Sequence, residues 1–326
     1  MKRFIKITAI ISLCLILAGI GLAGCGFMLG GIPDFQYNLD NHKVDTKRSS
    51  AKLITEELAS FDNINLDIIN ADISLHYGDN YSISYYTDTL SKKEFKVSDG
   101  TLTVHSNADS QSHIINFTPF SINDSLSDIV ITVPKNKKLQ DITIANNSGD
   151  FDLSDIKCDT LSLDFDYGDV RIHNVTANES DITLQSGNLS LNKGKIESCN
   201  MELGYGDVTL KKTTIQTLSC TCNSGDFTAD DYQSEENIIT LNYGNLDITT
   251  STLSMLKANL DSGDCELNLS GNPEDYELTL TASSGDIHVN DSEYDNNYIS
   301  KFKSSSASSK LIQVNTSYGD IDVDLE

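Results

Sequence analysis

A Gly followed by Asp or Asn recurs at Gly149, Gly168, Gly187, Gly206, Gly225, Gly244 and Gly263, always 19 residues apart. The residue before each Gly alternates as Ser148, Tyr167, Ser186, Tyr205, Ser224, Tyr243 and Ser262. Such a fixed period with a two-state alternation is the signature of a solenoid, in which each short unit packs only on its neighbours. Gly285 and Gly319 extend the series after insertions, and Gly78 starts it upstream.

Aligning the units on Gly shows what each one builds. Apolar residues stand seven, five and three positions before it, as in Leu161, Leu163 and Phe165. They return two and four positions after it, as in Val170 and Ile172. Period-two alternation on both sides of a Gly-Asp corner predicts two short strands joined by a turn. The parity changes across the Gly, and a positive φ re-aims the chain there at little cost. A unit of 19 residues cannot bury its apolar face alone, so stacking at about 4.8 Å must close the core. The expected fold is therefore all-β, a single-stranded β-solenoid over residues 61–326. The Ser/Tyr alternation fits large side chains lying over small ones, or equally the opposite corners of a 38-residue coil.

Outside the regular stretch, Ile73 to Asp79 reads as a first coil and Phe95 to Val104 as a hairpin turning at Asp99-Gly100. Residues 105–127 are polar and read as a protruding loop, and Ile129–Pro134 as the strand leading into the array. Residues 291–310, with Ser304-Ser-Ser-Ala-Ser-Ser309, read as a flexible insertion before a final coil at Tyr318 to Val323.

Residues 7–33 carry no charge, and Lys2, Arg3 and Lys6 precede them. About 20 apolar residues span a bilayer, so this segment is long enough to anchor the chain. The basic flank places residues 1–6 in the cytoplasm and the body outside. Leu22-Ala23-Gly24-Cys25 also resembles a lipobox, with Cys25 as the lipidated residue. The continuing apolar run Gly26 to Leu29 favours an uncleaved transmembrane anchor over that lipoprotein reading. Both place the body on the outer face of a bacterial membrane, above a charged, partly helical juxtamembrane stalk at 34–60.

From residue 34 onward the chain carries 20 Lys+Arg against 48 Asp+Glu, a net of −28. That charge repels phosphate backbones and excludes nucleic acid as a partner. The remaining partner classes are a cell-wall polymer, a cationic peptide or another envelope protein. Cys158, Cys199, Cys220, Cys222 and Cys265 are odd in number and irregular in spacing, which predicts small buried side chains and no disulfide framework.

The leader anchor, Val133-Pro134 with Leu139, and the repeated S-G-D and Y-G-D corners resemble the bacterial adhesin-like family of LiaG-like proteins, which carry a domain of unknown function. The resemblance covers most of 61–326. It implies a cell-envelope location and a role in adhesion or envelope stress, and it supplies no catalytic residues.

The residues after the corner glycines, Asp150, Asp169, Asp207, Asp226, Asp264, Asp286 and Asp320, with Asn188 and Asn245, would form a ladder if the corners stack. Carboxylates about 5 Å apart repel unless cations or hydrogen bonds intervene. Bound calcium is one solution. The other is turn chemistry, each side chain accepting a backbone N–H at its own corner, and Asn at two positions favours it. No cofactor and no metal site is expected beyond that. No nucleophile elbow, phosphate loop or dinucleotide fingerprint is present, and the six His are scattered. Arg171 is the only arginine after Arg48 and stands beside Asp169 as a surface ion pair. The expected function is non-catalytic binding through an acidic surface. A self-assembling structural protein and a polysaccharide-active β-helix enzyme are the alternatives.

Overall fold

The computed structural model describes residues 35–38, 43–45, 52–106 except 88, 114–117, 128–299 except 272 and 291, and 310–325. The chain forms two units, residues 1–52 with 109–126, and residues 53–108 with 127–326. In the first, Phe35–Asn38 pairs antiparallel with both Lys43–Asp45 and Ile114–Phe117. Among the described residues, strands thus stand inside 34–60 and 105–127, where a partly helical stretch and a loop were expected. Leu53–Glu57 is also a strand, antiparallel to Ser82–Tyr86. Backbone pairing satisfies these polar groups where local propensity alone pointed elsewhere. The leader at 7–33, including Cys25, and the Ser-rich run 304–309 lie outside the described residues. Among the described residues no helix is long and apolar enough to cross a membrane.

The second unit is a solenoid built on one continuous 22-stranded sheet. Over its regular stretch the strands pair in parallel with a register of 19, so that Leu161, Ser180, Cys199, Leu218, Asn237 and Leu256 stack in one column. One 19-residue unit is one coil, and the 38-residue alternative falls away. Ser and Tyr therefore alternate between neighbouring coils along one edge.

Each regular coil turns seven positions inward. In the coil after Gly168 these are Val170, Ile172, Val175, Ala177, Ser180, Ile182 and Leu184, all buried. Val175 and Ala177 follow a second corner that the apolar pattern did not reveal. There Asp155, Asn174, Lys193, Lys212 and Asp231 adopt φ of 59°, 52°, 57°, 51° and 52°, again 19 residues apart. Asp and Asn tolerate this left-handed conformation best, which fits three of the five positions. Like the Gly corner, it shifts the inward parity by one residue.

All five body cysteines are buried and free. Burial pushes the Cys158 and Cys199 thiols up to about 12 and raises that of Cys265, so these three present no thiolate at neutral pH. Among the polar side chains set inside the array, the Tyr232 hydroxyl donates to Asn237 Oδ1 at 2.7 Å, and Asn237 Nδ2 donates to the Met255 carbonyl.

The two ends depart from a simple stack. Upstream, the coil beneath Gly149 has its corner at Ala71-Asp72, with Phe151 paired to Ile73. Gly78 ends the outgoing strand opposite Pro134 and is not a corner, which corrects the upstream start of the series. Buried Asn146 donates from Nδ2 to the Ala71 carbonyl and ties this coil to the array. Phe95–Ser98 and Thr101–His105 form the expected hairpin, with Asp99 at φ 52° and Gly100 at φ 73°. Ile129–Pro134 joins the sheet as expected.

At the other end, the spatial order is not the chain order. The coil of Gly263 pairs with Leu311–Tyr318 and Ile321–Leu325, and these pair in turn with Tyr276–Ala282 and Ile287–Val289. The chain skips one level, builds the outermost coil around Gly285, and returns to fill the gap with its last residues. The coil of Gly319 is therefore penultimate and not final. Ser292–Ile299, read from sequence as part of a flexible insertion, instead runs antiparallel over the outermost coil and covers it.

Candidate functional site: the corner edge

The Gly corners stack so closely that no side chain fits. A Cβ on Gly206 (φ +138°) would lie 2.0 Å from the Gly187 carbonyl oxygen, and the same approach recurs from Gly149 to Gly319. This proximity brings the next residues into register as a continuous ladder. Asp150 donates its N–H to Asp72 Oδ1 at 2.8 Å, and Asp169 to Asp150 Oδ1 at 2.9 Å. The chain of bonds continues through Asn188, Asp207, Asp226, Asn245 and Asp264. It then passes to Asp320, and from Asp320 to Asp286.

Turn chemistry thus accounts for these residues, with one correction. Each side chain accepts the N–H of the next corner and not of its own. Asn188 and Asn245 serve because only one oxygen is required. The sequence reading also missed Asp72, the first rung, because no Gly precedes it. Among the described residues no group of three or more His, Cys, Asp or Glu side chains is placed to hold a metal ion.

One expected outcome separates the two carboxylate oxygens. Asp226→Asn should leave thermal stability nearly unchanged, because the acceptor for Asn245 N–H is retained. Asp226→Ala should cost about 1 kcal/mol, the worth of one hydrogen bond, seen as a lower melting temperature.

The second oxygen is used where a cation is at hand. Arg171 Nη1 bonds Asp150 Oδ2 at 3.0 Å and Nη2 bonds Asp169 Oδ2 at 3.1 Å, so one guanidinium bridges two successive rungs. The column that holds Arg171 continues through Ser190, Thr209, Thr228, Asp247, Glu266 and Asp322. Asp152 stands in register on the other side of Arg171, and Asp247, Glu266 and Asp322 make the column acidic further along the array. Near that acidic end lies a concavity of about 290 Å³ lined by Asp226, Thr228, Asn245, Leu246, Asp247, Asp264 and Glu266. Asp247 Oδ1 is buried there with no hydrogen-bond partner.

On the other flank of the glycines stand the Tyr and Ser residues. Tyr167, Tyr205, Tyr243 and Tyr318 are 60–64% exposed. Ser186, Ser224 and Ser262 separate them in register. In chain order the alternation fails at Ser284, which follows Ser262; in space Tyr318 stands between them and restores it.

The family model described as Toastrack DUF4097 matches residues 61–240 and 232–324. The chain belongs to the Toastrack family. Solved structures similar to this chain include a putative adhesin from Bacteroides fragilis NCTC 9343, at 13% identity over 85% of this chain and 98% of that one, with a TM-score of 0.45. A putative adhesin from Parabacteroides merdae ATCC 43184 matches at 13% identity over 86% and 97%, with a TM-score of 0.46. A putative lipid binding protein from Parabacteroides distasonis ATCC 8503 matches at 12% over 86% and 98%, with a TM-score of 0.38. No curated protein matches the chain in sequence. The Toastrack match spans the Gly corners and both irregular ends of the solenoid.

Proposed function

We propose that this Toastrack chain is a non-catalytic, adhesin-like protein held on the outer face of a bacterial membrane, which presents its corner edge to a partner in the cell envelope. The charge-free segment 7–33 with its basic flank supports the tether, as a single-pass anchor or as a lipoprotein modified at Cys25. The observation that carries the binding role is the edge itself, where exposed Tyr rings and solvent-facing carboxylates run side by side along the array. Exposed aromatics on a rigid lattice are the usual currency of interaction surfaces. The acidic groups recur in every coil, whereas acid–base catalysis needs them gathered at one point. Calcium and other cofactors have no part in this reading.

The covered outermost coil weighs against the self-assembling alternative. Ser292–Ile299 closes the outermost coil with a bulged, antiparallel strand carrying Glu293 and Asp295, a device that blunts edge-to-edge pairing. The test is retention of cell-wall polymers, cationic peptides or envelope proteins on immobilised, detergent-extracted full-length protein. Specific retention with the polymers left intact is expected. Cleavage of a wall polysaccharide by the pure protein would sink the proposal.

A further inference from the structure

The corner edge has a period of its own. Neighbouring coils are about 4.8 Å apart, so successive Tyr rings repeat about every 10 Å. Four rings keep this spacing, each separated from the next by one Ser, and the exchange of the last two coils preserves it. Both flanks are polar. On one side Asn242 Nδ2 bonds Asn223 Oδ1 at 3.0 Å, within a column that includes Asp166, Gln185 and Asp261. On the other side runs the Asp ladder.

Tyr, Ser, Gly and Asn together make a binding surface of rigid rings and adaptable hydrogen bonds. A protein ligand presents a non-repeating face, which has no need of a Tyr in the same place every second coil. A linear polymer does. An extended β-1,4-linked glycan repeats every second sugar over a length comparable to the Tyr spacing. Its flat CH faces stack on aromatic rings, as carbohydrate faces do.

The charge narrows the class further. An anionic polymer would be repelled by the ladder. Arg171 shows what the ladder accepts, since its guanidinium takes the outer oxygens of Asp150 and Asp169 beside Tyr167. In register with Arg171 near Asp207 and Asp226 stand Thr209 and Thr228, and near Asp264 stand Asp247 and Glu266. At these rungs the chain supplies no Arg of its own. The concavity with the unpartnered Asp247 oxygen lies at this end, on the coils of Ser224, Tyr243 and Ser262.

We propose that this edge binds an amine-bearing β-1,4-linked glycan, laid across the stacked coils with alternate sugars on successive Tyr rings and its amines against the ladder carboxylates. The ammonium groups gain both a carboxylate oxygen and the face of a Tyr ring. This names the partner class for the binding role proposed above and rests on it.

The test uses full-length protein in detergent micelles and a length series of β-1,4-linked glucosamine oligomers. N-acetylated oligomers and a lysine peptide of matched charge serve as comparisons. Glucosamine oligomers should bind best, with affinity rising as the chain spans more rings. The double substitution Tyr205→Ala with Tyr243→Ala should weaken binding about tenfold or more, the loss of a binding hot spot. Asp226→Asn with Asp264→Asn should also weaken it while the ladder acceptor and the melting temperature are kept. Equal affinity for the N-acetylated oligomers, or binding that survives the Tyr pair, overturns the proposal. A preference for the lysine peptide overturns it too and leaves the binding role standing. Failure of the retention experiment above overturns the role itself.

Discussion

Gly206→Ala is expected to lower the stability of the array by about 3 kcal/mol or more. The added Cβ would lie 2.0 Å from the Gly187 carbonyl oxygen and 2.6 Å from its carbon, both backbone atoms. No side-chain rotation relieves that clash, and a φ of +138° is itself one that L residues avoid. Relief requires parting two coils, which would lengthen the Asp207-to-Asn188 rung and the Gly187-to-Tyr205 backbone bond together. A chain of this size loses roughly 2–4 °C of melting temperature per kcal/mol, so a drop near 10 °C is expected. Tyr205→Ala, one residue away and exposed, should cost under about 0.5 kcal/mol. The pair of melts is the measurement. A Gly206→Ala protein that melts with the parent would show that the corners are not in contact in solution.

Deletion of 310–326 is the second large effect. It removes Ile312, Val314, Ile321 and Val323, all buried, and on the order of 1.5–3 kcal/mol is lost for each. It also leaves two facing rows of backbone groups unpaired, on the Gly263 coil and on the Gly285 coil. Stability in stacked repeats is nearly a sum of neighbour terms. Coils up to Gly244 should therefore stay folded while residues 270–299 lose protection. Hydrogen exchange resolved along the chain checks this. Full protection of Ile287 in the truncated chain would mean that the outer coil redocks directly on the Gly263 coil. It should not, because that would set Ser284 on Ser262 and end the alternation of large and small.

Much of the fold is legible in the residues. The spacing of Gly149 to Gly263 implies the solenoid, and the apolar residues flanking each Gly locate five of the seven inward columns. Asp99-Gly100 marks its hairpin for the usual reason, two adjacent positions with positive φ. The second corner escaped notice because it has no diagnostic residue. Lys193 and Lys212 hold the same left-handed conformation as Asn174, held there by the pairing of whole coils. Ala71-Asp72 escaped for a similar reason. That rung does the work of the others without the Gly that labels them.

The corner edge was half visible. The residues of the ladder could be named from their spacing, and the suitability of Asn pointed to hydrogen bonding. The partner of each bond could not, because it lies 19 residues away, or 56 for Asp320 on Asp264. The exchange of the last two coils left one trace in the sequence, two Ser in a row at 262 and 284 followed by Tyr318. The amino-acid sequence alone determined the period, five of the seven inward columns and the place of the glycines, since these follow from local alternation and the steric demands of a turn. Only the tertiary structure decided which coil lies on which. Equivalent coils present nearly the same strands to a neighbour, and the order is chosen by the reach of the connections and by the packing of Tyr beside Ser.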